Sequence, residues 1–175
     1  SNDALAIARG EFVALLDHDD LLHPEALEAI YEVLDDDVDY AYTDQDLIDE
    51  EGRHSEPLFK PDWSPDRFRC QMYTNHLGVL RRSLVEEVGG FRDGYEGSQD
   101  FDLVFRVTER AERIVHVPRV LYHWRITAKS VNASPDAKPY AWLAGGRAIA
   151  DHLRRTGFEA TVDESIVTPG VYRLE

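Results

Sequence analysis

An α/β fold around a largely parallel sheet is what this sequence predicts, and three observations predict it. Helix-like and strand-like stretches alternate from the amino terminus. The first clear strand, Phe12 to Leu16, is apolar throughout, as strands covered on both faces are. That strand stops abruptly at Asp17-His18-Asp19-Asp20, and in open α/β sheets ligands bind beyond the carboxyl ends of strands. With 175 residues, 43% of them hydrophobic and 30% charged, the chain fits one domain whose core needs no disulfide or metal to hold it.

Each element has its own signal. Ser1 to Arg9 is short and helix-favouring, with Gly10 placed as a cap. Pro24 suits the first turn of a helix whose Leu27, Ile30, Tyr31 and Leu34 share one face. A second strand, Val38 to Thr43, ends at another acidic group, Asp44-Gln45-Asp46. Residues 47–63, with Gly52, Pro57 and Pro61, read as a long loop or hairpin. Ser64-Pro65 reads as N-cap and first helical residue of a short helix reaching Cys70. A strand from Leu77 to Arg81 and a helix from Ser83 to Val88 follow, the latter stopped by Gly89-Gly90. A glycine-containing loop, Arg92 to Ser98, leads into a strong helix from Gln99 to about Ala111. Strands are expected at Ile114 to Val117 and Val120 to Trp124, separated by Pro118-Arg119. A polar stretch at 127–136, a helix from Tyr140 to Arg155, and two strands around Thr168-Pro169-Gly170 complete the chain.

Charge narrows the function. The net charge is −15, and residues 1–66 hold 20 of the 34 acidic residues against 3 of the 19 basic ones. Nucleic-acid binding is disfavoured, because phosphate recognition needs clustered Lys and Arg. Most of these carboxylates read as a solvated face. The apolar runs are far shorter than a membrane span, and no basic-then-apolar leader is visible. A single cysteine, Cys70, excludes an internal disulfide and fits a reducing, cytoplasmic setting.

The acidic group after the first strand is the strongest chemical signal. Three carboxylates within four residues repel one another, and a hard cation with oxygen ligands, Mg²⁺ or Mn²⁺, offsets that naturally. Equally, acids before the Pro24 helix favour its positive end. An apolar strand ending in Asp-x-Asp fits either a phosphohydrolase with an aspartyl nucleophile or a nucleotide-sugar transferase. The hydrolase pattern has Thr or Val where this chain has Leu21, which counts against it.

Six segments, FVALLDHDD, YTDQD, FKPDWSPD, NHLGVLRR, EGSQDFDL and LYHWR, occur in an order and spacing that resemble the inverting family 2 glycosyltransferases. The nearest subgroup is that of bacterial enzymes building O-antigen and other surface polysaccharides. The resemblance covers about residues 1–132 and implies a GT-A fold: a mixed, mainly parallel sheet flanked by helices. It implies that Asp17 and Asp19 hold the metal, with Asp19 the better candidate, and that His123 completes that site. Asp20, Arg125 and Ser130 fall where the donor diphosphate is bound. Asp100, in the first turn of its helix, matches the catalytic base, and the helix dipole favours its ionised form; Asp102 reads as structural. Lys60, Asp62, Trp63, Asn75, His76, Glu96 and Gln99 fall in acceptor- and sugar-contacting segments.

The partners implied are a nucleotide-sugar donor and a saccharide or lipid-linked saccharide acceptor, with peripheral membrane association compatible with both. The family's first nucleotide-binding strands have no counterpart here, so the chain matches the carboxyl-terminal part of the catalytic domain. Residues 133–175 read as an extension toward a further domain. Without those strands the chain is expected to self-associate and to lack transfer by itself. The rival readings are a metal-dependent phosphohydrolase using the same acids and a non-catalytic acidic interaction module.

Overall fold

A computed structural model of the chain describes residues 1–126, 139–168 and 170–175, with the backbone alone for 164–168. Helix α1 (Asn2–Ile7) caps at Ala8, whose N–H reaches the Leu5 carbonyl, so Gly10 is not the cap but the lead into strand β1 (Phe12–Leu15). Strand β2 (Leu21–Leu22) and helix α2 (Ala26–Tyr31) follow. Pro24 lies in the turn before α2, where the Ala26 N–H bonds the His23 carbonyl. The buried face of α2 is Ala26, Ala29 and Ile30; of the expected face Ile30 is buried and Leu34 packs against the core, but Leu27 is 68% and Tyr31 79% exposed. Small residues let the helix lie close to the sheet, and its larger side chains are turned outward.

Strand β3 (Val38–Ile48) runs 11 residues and carries Asp44, Gln45 and Asp46 within it, where the sequence suggested a strand end. It turns through Gly52 into β4 (His54–Leu58), so residues 47–63 hold a hairpin. Ser64 caps α3 (Pro65–Cys70), its hydroxyl accepting from the Arg67 N–H, with Pro65 in the first turn as expected. Strand β5 (Gly78–Arg81), helix α4 (Arg82–Glu87) and helix α5 (Gln99–Thr108) match their expected places to within a few residues.

The two strands expected at 114–117 and 120–124 are one, β6 (Arg113–Arg125). Thr43 pairs with Val117 but Asp44 pairs with Val120, so Pro118-Arg119 bulges out of a continuous ladder. Proline has no N–H to give, and a bulge is where it is tolerated. Helix α6 (Pro139–Thr156) and the hairpin β7 (Val162–Thr168) to β8 (Val171–Leu174) end the chain.

The main sheet has the order β1-β5-β3-β6-β2, with β4 paired to β3. It is mixed, as expected, but not mainly parallel: only β3 and β6 run together, and β1–β5, β5–β3, β3–β4 and β6–β2 are antiparallel. Strand β5 inserts between β1 and β3 against both, which helix–strand alternation along the chain does not encode. Strand β1 is therefore a sheet edge and only partly covered, with Ala14 exposed, rather than buried on both faces.

Two apolar clusters lie on the two sides of the sheet, as alternating side chains of β3 and β5 require. Tyr40, Tyr42 and Leu80 meet Phe68, Phe101, Phe105, Ile149 and Leu153. Ala41 and Val79 meet Ala26, Ala29, Ile30 and Leu121. Helix α5 is fixed by Asp102, which is fully buried and receives Arg106 at 2.7 Å and Arg92. Arg106 also donates to the carbonyls of Val88 and Gly90, and Arg92 reaches Asp151 of α6 at 3.2 Å. Among the described residues no helix is long and apolar enough to cross a membrane.

Candidate active site

The acidic loop after β1 is shaped by the end of β6. Three neighbouring carboxylates cannot all be buried, and the fold buries one of them. Asp20 accepts the Tyr122 hydroxyl on one oxygen and the Arg125 N–H, at 2.8 Å, on the other. Tyr122 in turn receives the Asp17 N–H, and the Arg125 guanidinium donates to the Asp19 carbonyl at 2.7 Å. Asp17 and Asp19 are thereby left exposed. Among the described residues the Asp17 carboxylate has no hydrogen-bond partner, and Asp19 has only the exposed His18, 3.7 Å away. Exposed, uncommitted carboxylate oxygens fit a hard divalent cation. Asp20, in contrast, already has both oxygens occupied.

Beside this loop a cleft of about 720 Å³ opens between β1, α1 and the amino-terminal end of α5. Asp17, Asn75, His76, Gln99, Asp100 and Trp124 line it. Asp100 is oriented from two sides, by the Phe101 N–H at 2.8 Å and by the Asn75 amide. Burial pushes the Asp100 carboxyl above its ordinary range, against the pull of the Phe101 N–H, and the nearby Asp17 charge adds to the rise. Burial acts oppositely on His76, lowering it toward the neutral imidazole although Asp100 and Asp17 partly offset the effect. The His76 ring stacks on Tyr122 at 4.8 Å and meets Trp124 edge-on. Asn75 Oδ1 and His76 Nδ1 are buried without a hydrogen-bond partner among the described residues. A carboxyl raised by burial, an imidazole pushed toward its neutral form and two buried polar atoms without partners thus share one cleft.

The remaining candidates stand outside the cleft lining. Lys60 is buried behind it, its ammonium donating to the carbonyls of His76 at 2.6 Å and Thr74 at 3.3 Å, so it supports the segment that presents Asn75 and His76. Burial brings Lys60 down to about 7, with Asp44 pulling the other way. Asp62 is exposed and holds His116, whose other ring nitrogen meets Asp44 at 2.9 Å. Trp63 is half-buried against Phe68 and Tyr73. Glu96 is exposed, and its carboxyl is held low by the Gly94 N–H. His123 points to Asp46, 2.6 Å away, and not into the cleft lining. Ser130 lies outside the described residues.

Sequence reasoning passed over Trp124, although it sits beside His123 in LYHWR, and passed over Asp46, which holds the His123 ring, and His54 beside it. The alternation along β3, which puts Asp44 and Asp46 on one side, was a usable signal for Asp46. Nothing local marks His54, which reaches Asp46 only through the hairpin.

The mixed α/β sheet, with its acidic loop at a strand end and Asp100 lining the same cleft, has the GT-A type of fold of the solved glycosyltransferases it resembles. The model of glycosyl transferase family 2 matches residues 1–89, and the chain belongs to that family. It is 50% identical over 160 residues to the protein y4gI of Sinorhizobium fredii (strain NBRC 101917 / NGR234), covering 89% of this chain and 18% of that one. It is 38% identical over 164 residues to the O-antigen biosynthesis protein RfbC of Myxococcus xanthus, covering 93% of this chain. The chain thus spans only 18% and 13% of the lengths of these two relatives. Among solved structures it resembles the mannosyltransferase PcManGT from Pyrobaculum calidifontis in complex with GDP-Man and Mn²⁺. The TM-score is 0.59 at 18% identity, over 87% of this chain and 42% of that one, a likeness of fold.

Proposed function

We propose that this domain transfers a sugar, with inversion, from a nucleoside-diphosphate donor to the hydroxyl of a saccharide or lipid-linked saccharide in surface-polysaccharide synthesis. The observation that carries this is the placement of Asp17 and Asp100 on one cleft, the first exposed and uncommitted, the second oriented and raised by burial. The names of the relatives support the same reading, since one is an O-antigen biosynthesis protein and a structural neighbour was solved with GDP-Man and Mn²⁺.

In this mechanism Asp100 accepts the proton of the acceptor hydroxyl as its oxygen attacks the anomeric carbon. The new glycosidic C–O bond forms as the bond to the diphosphate breaks, and that electron pair leaves with the nucleoside diphosphate. Asn75 and the Phe101 N–H aim the Asp100 carboxylate, so little reorganisation is needed at the moment of transfer. Mg²⁺ or Mn²⁺ bound at Asp17 and Asp19 would neutralise charge on the departing diphosphate. Arg125 holds the loop that carries both acids, and His76 with Gln99 meets the sugar or acceptor in the cleft. The reading places the reaction at the cytoplasmic side of the membrane, with residues 133–175 as an extension toward a further domain.

Asp100→Asn in the protein that carries this domain tests the reading. Loss of a general base should cut transfer by ~10²–10⁴ with donor affinity nearly unchanged. Near-normal transfer would take Asp100 out of the role, and phosphate release needing no acceptor would point to the hydrolase instead.

A further inference from the structure

We propose that the cavity between α6 and the β7–β8 hairpin binds a single-chain lipid phosphate, the isoprenyl phosphate end of a lipid-linked saccharide. The cavity holds about 650 Å³, the size of a ligand pocket, and shares no lining residue with the cleft of Asp17 and Asp100. Trp142, Leu143, Phe158 and Tyr172 form its apolar wall, with Arg147 and Arg154 beside them. Leu143 is 53% and Phe158 47% exposed, so apolar surface here is left open to water.

Two consecutive glycines in the middle of α6 bear on this space. Glycine inside a helix costs stability, so each calls for a reason. Gly145 has one in packing, since a Cβ there would collide with the Tyr172 hydroxyl, which donates to the Trp142 carbonyl at 2.9 Å. Gly146 has no such reason. A Cβ at Gly146 would make only ordinary contacts, 3.7 Å to Tyr172 and 4.0 Å to Val162, so the backbone admits a side chain. That side chain would project into the cavity, whose wall Gly146 forms. Gly146 thus keeps open a volume that no described residue fills.

The walls select the ligand. The side chains of Leu143, Ala150, Ala160 and Val162 offer no hydrogen bonds, which a saccharide needs along its length and a hydrocarbon chain does not. In a chain of net charge −15 this wall carries two arginines against one acid, Asp163, which suits an anionic head. Arg154 is bridged to Asp151 at 2.8 Å. Arg147 forms no ion pair among the described residues; it donates to the Gly94 carbonyl at 2.5 Å, and its charge helps hold the Glu96 carboxyl low. A guanidinium with one donor on a carbonyl keeps others for phosphate oxygens.

The first turn of α6 borders both the cavity and the cleft. Ala141 lies against Gly97, and the Ser98 hydroxyl donates to the Ala141 carbonyl at 2.8 Å. Gly97 and Gln99 line the cleft, while Trp142, next to Ala141, lines the cavity. A tail held in the cavity therefore directs its linked saccharide toward Asp100. The choice of this lipid rests on the transferase reading above.

Titration of the full 175-residue chain with farnesyl phosphate below its micellar concentration, followed by tryptophan fluorescence and calorimetry, tests the site. Binding is read without any assay of transfer, so failure of the site and failure of the transferase reading are told apart. The expected result is saturable binding of one equivalent, weaker binding of farnesol, and none of inorganic phosphate. Arg147→Gln should weaken binding about tenfold or more. Gly146→Leu, which favours the helix and fills the cavity, should abolish binding with an unchanged circular dichroism spectrum. Leu143→Glu, at an exposed position, should do the same by setting a negative charge in the wall, and Asp100→Asn should leave binding unchanged. Absence of saturable binding, or indifference to both Gly146→Leu and Leu143→Glu, would overturn the site. Equal affinity for farnesol would remove the anionic head, and loss of binding in Asp100→Asn would move the probe to the cleft; either result overturns the proposal. Binding to phosphatidylglycerol vesicles but not to farnesyl phosphate would overturn it as well, by assigning the surface to the membrane.

Discussion

Lys60 shows how a single buried charge serves the site at a cost to stability. Its ammonium has two carbonyl partners behind the cleft, yet burial favours the neutral amine and brings it from 10.5 to about 7. Between those two values the unfolded chain binds a proton that the folded chain does not, so stability from this group rises with pH across the window. Below about pH 7 both states are charged and the penalty is present in full. Replacing Lys60 by Met should therefore remove a component of stability that climbs between pH 7 and 10.5. Paired urea unfolding curves across that range check it, and parallel curves for the two proteins would show that Lys60 titrates normally in the fold.

Among the elements, α5 matters most because it carries the carboxylate proposed as base. Its amino terminus approaches α6 closely: Gly97 has φ +85°, and a Cβ there would lie 2.6 Å from the Ala141 Cβ. The far side of the same helix is pinned by Asp102, buried between Arg92 and Arg106. Removing one partner of a buried ion pair strands the other charges, and Asp102→Ala should cost about 3–5 kcal/mol. Chemical denaturation measures that loss, and a change below about 1 kcal/mol would mean water replaces the carboxylate. Asp100 and Asp102 stand two residues apart on one helix and separate cleanly by environment, one aimed into the cleft and the other into the network. Helical spacing made that division legible in the sequence. The bulge at Pro118-Arg119 was not, because its register depends on β3, a strand some seventy residues away.

At the level of the whole molecule, β1 leaves one edge of the sheet without a neighbouring strand among the described residues, and Leu16 beside it is 50% exposed. An uncovered edge with apolar side chains is a template for pairing with another copy. We expect the 175-residue chain to self-associate with rising concentration, and Ala14→Lys, which sets a charge on the strand, to shift it toward monomer. Light scattering of both proteins decides the matter, and a wild-type monomer throughout would remove the edge as the cause.

The sequence by itself determined the α/β class of the fold, the capped helix at Ser64-Pro65 and the acidic loop that carries Asp17. Those follow from local rules: apolar runs, caps, and acids placed where strands end. Asp100 stood out through the family resemblance, since an acid in a first helical turn is by itself only a favourable charge. Only the tertiary structure decided that β5 runs between β1 and β3, that Asp20 is an anchor, and that His123 turns to Asp46 and His54. Each of these depends on which strands lie side by side and in what register. Pairing across a sheet joins residues far apart in the chain, and no local pattern of side chains carries that information.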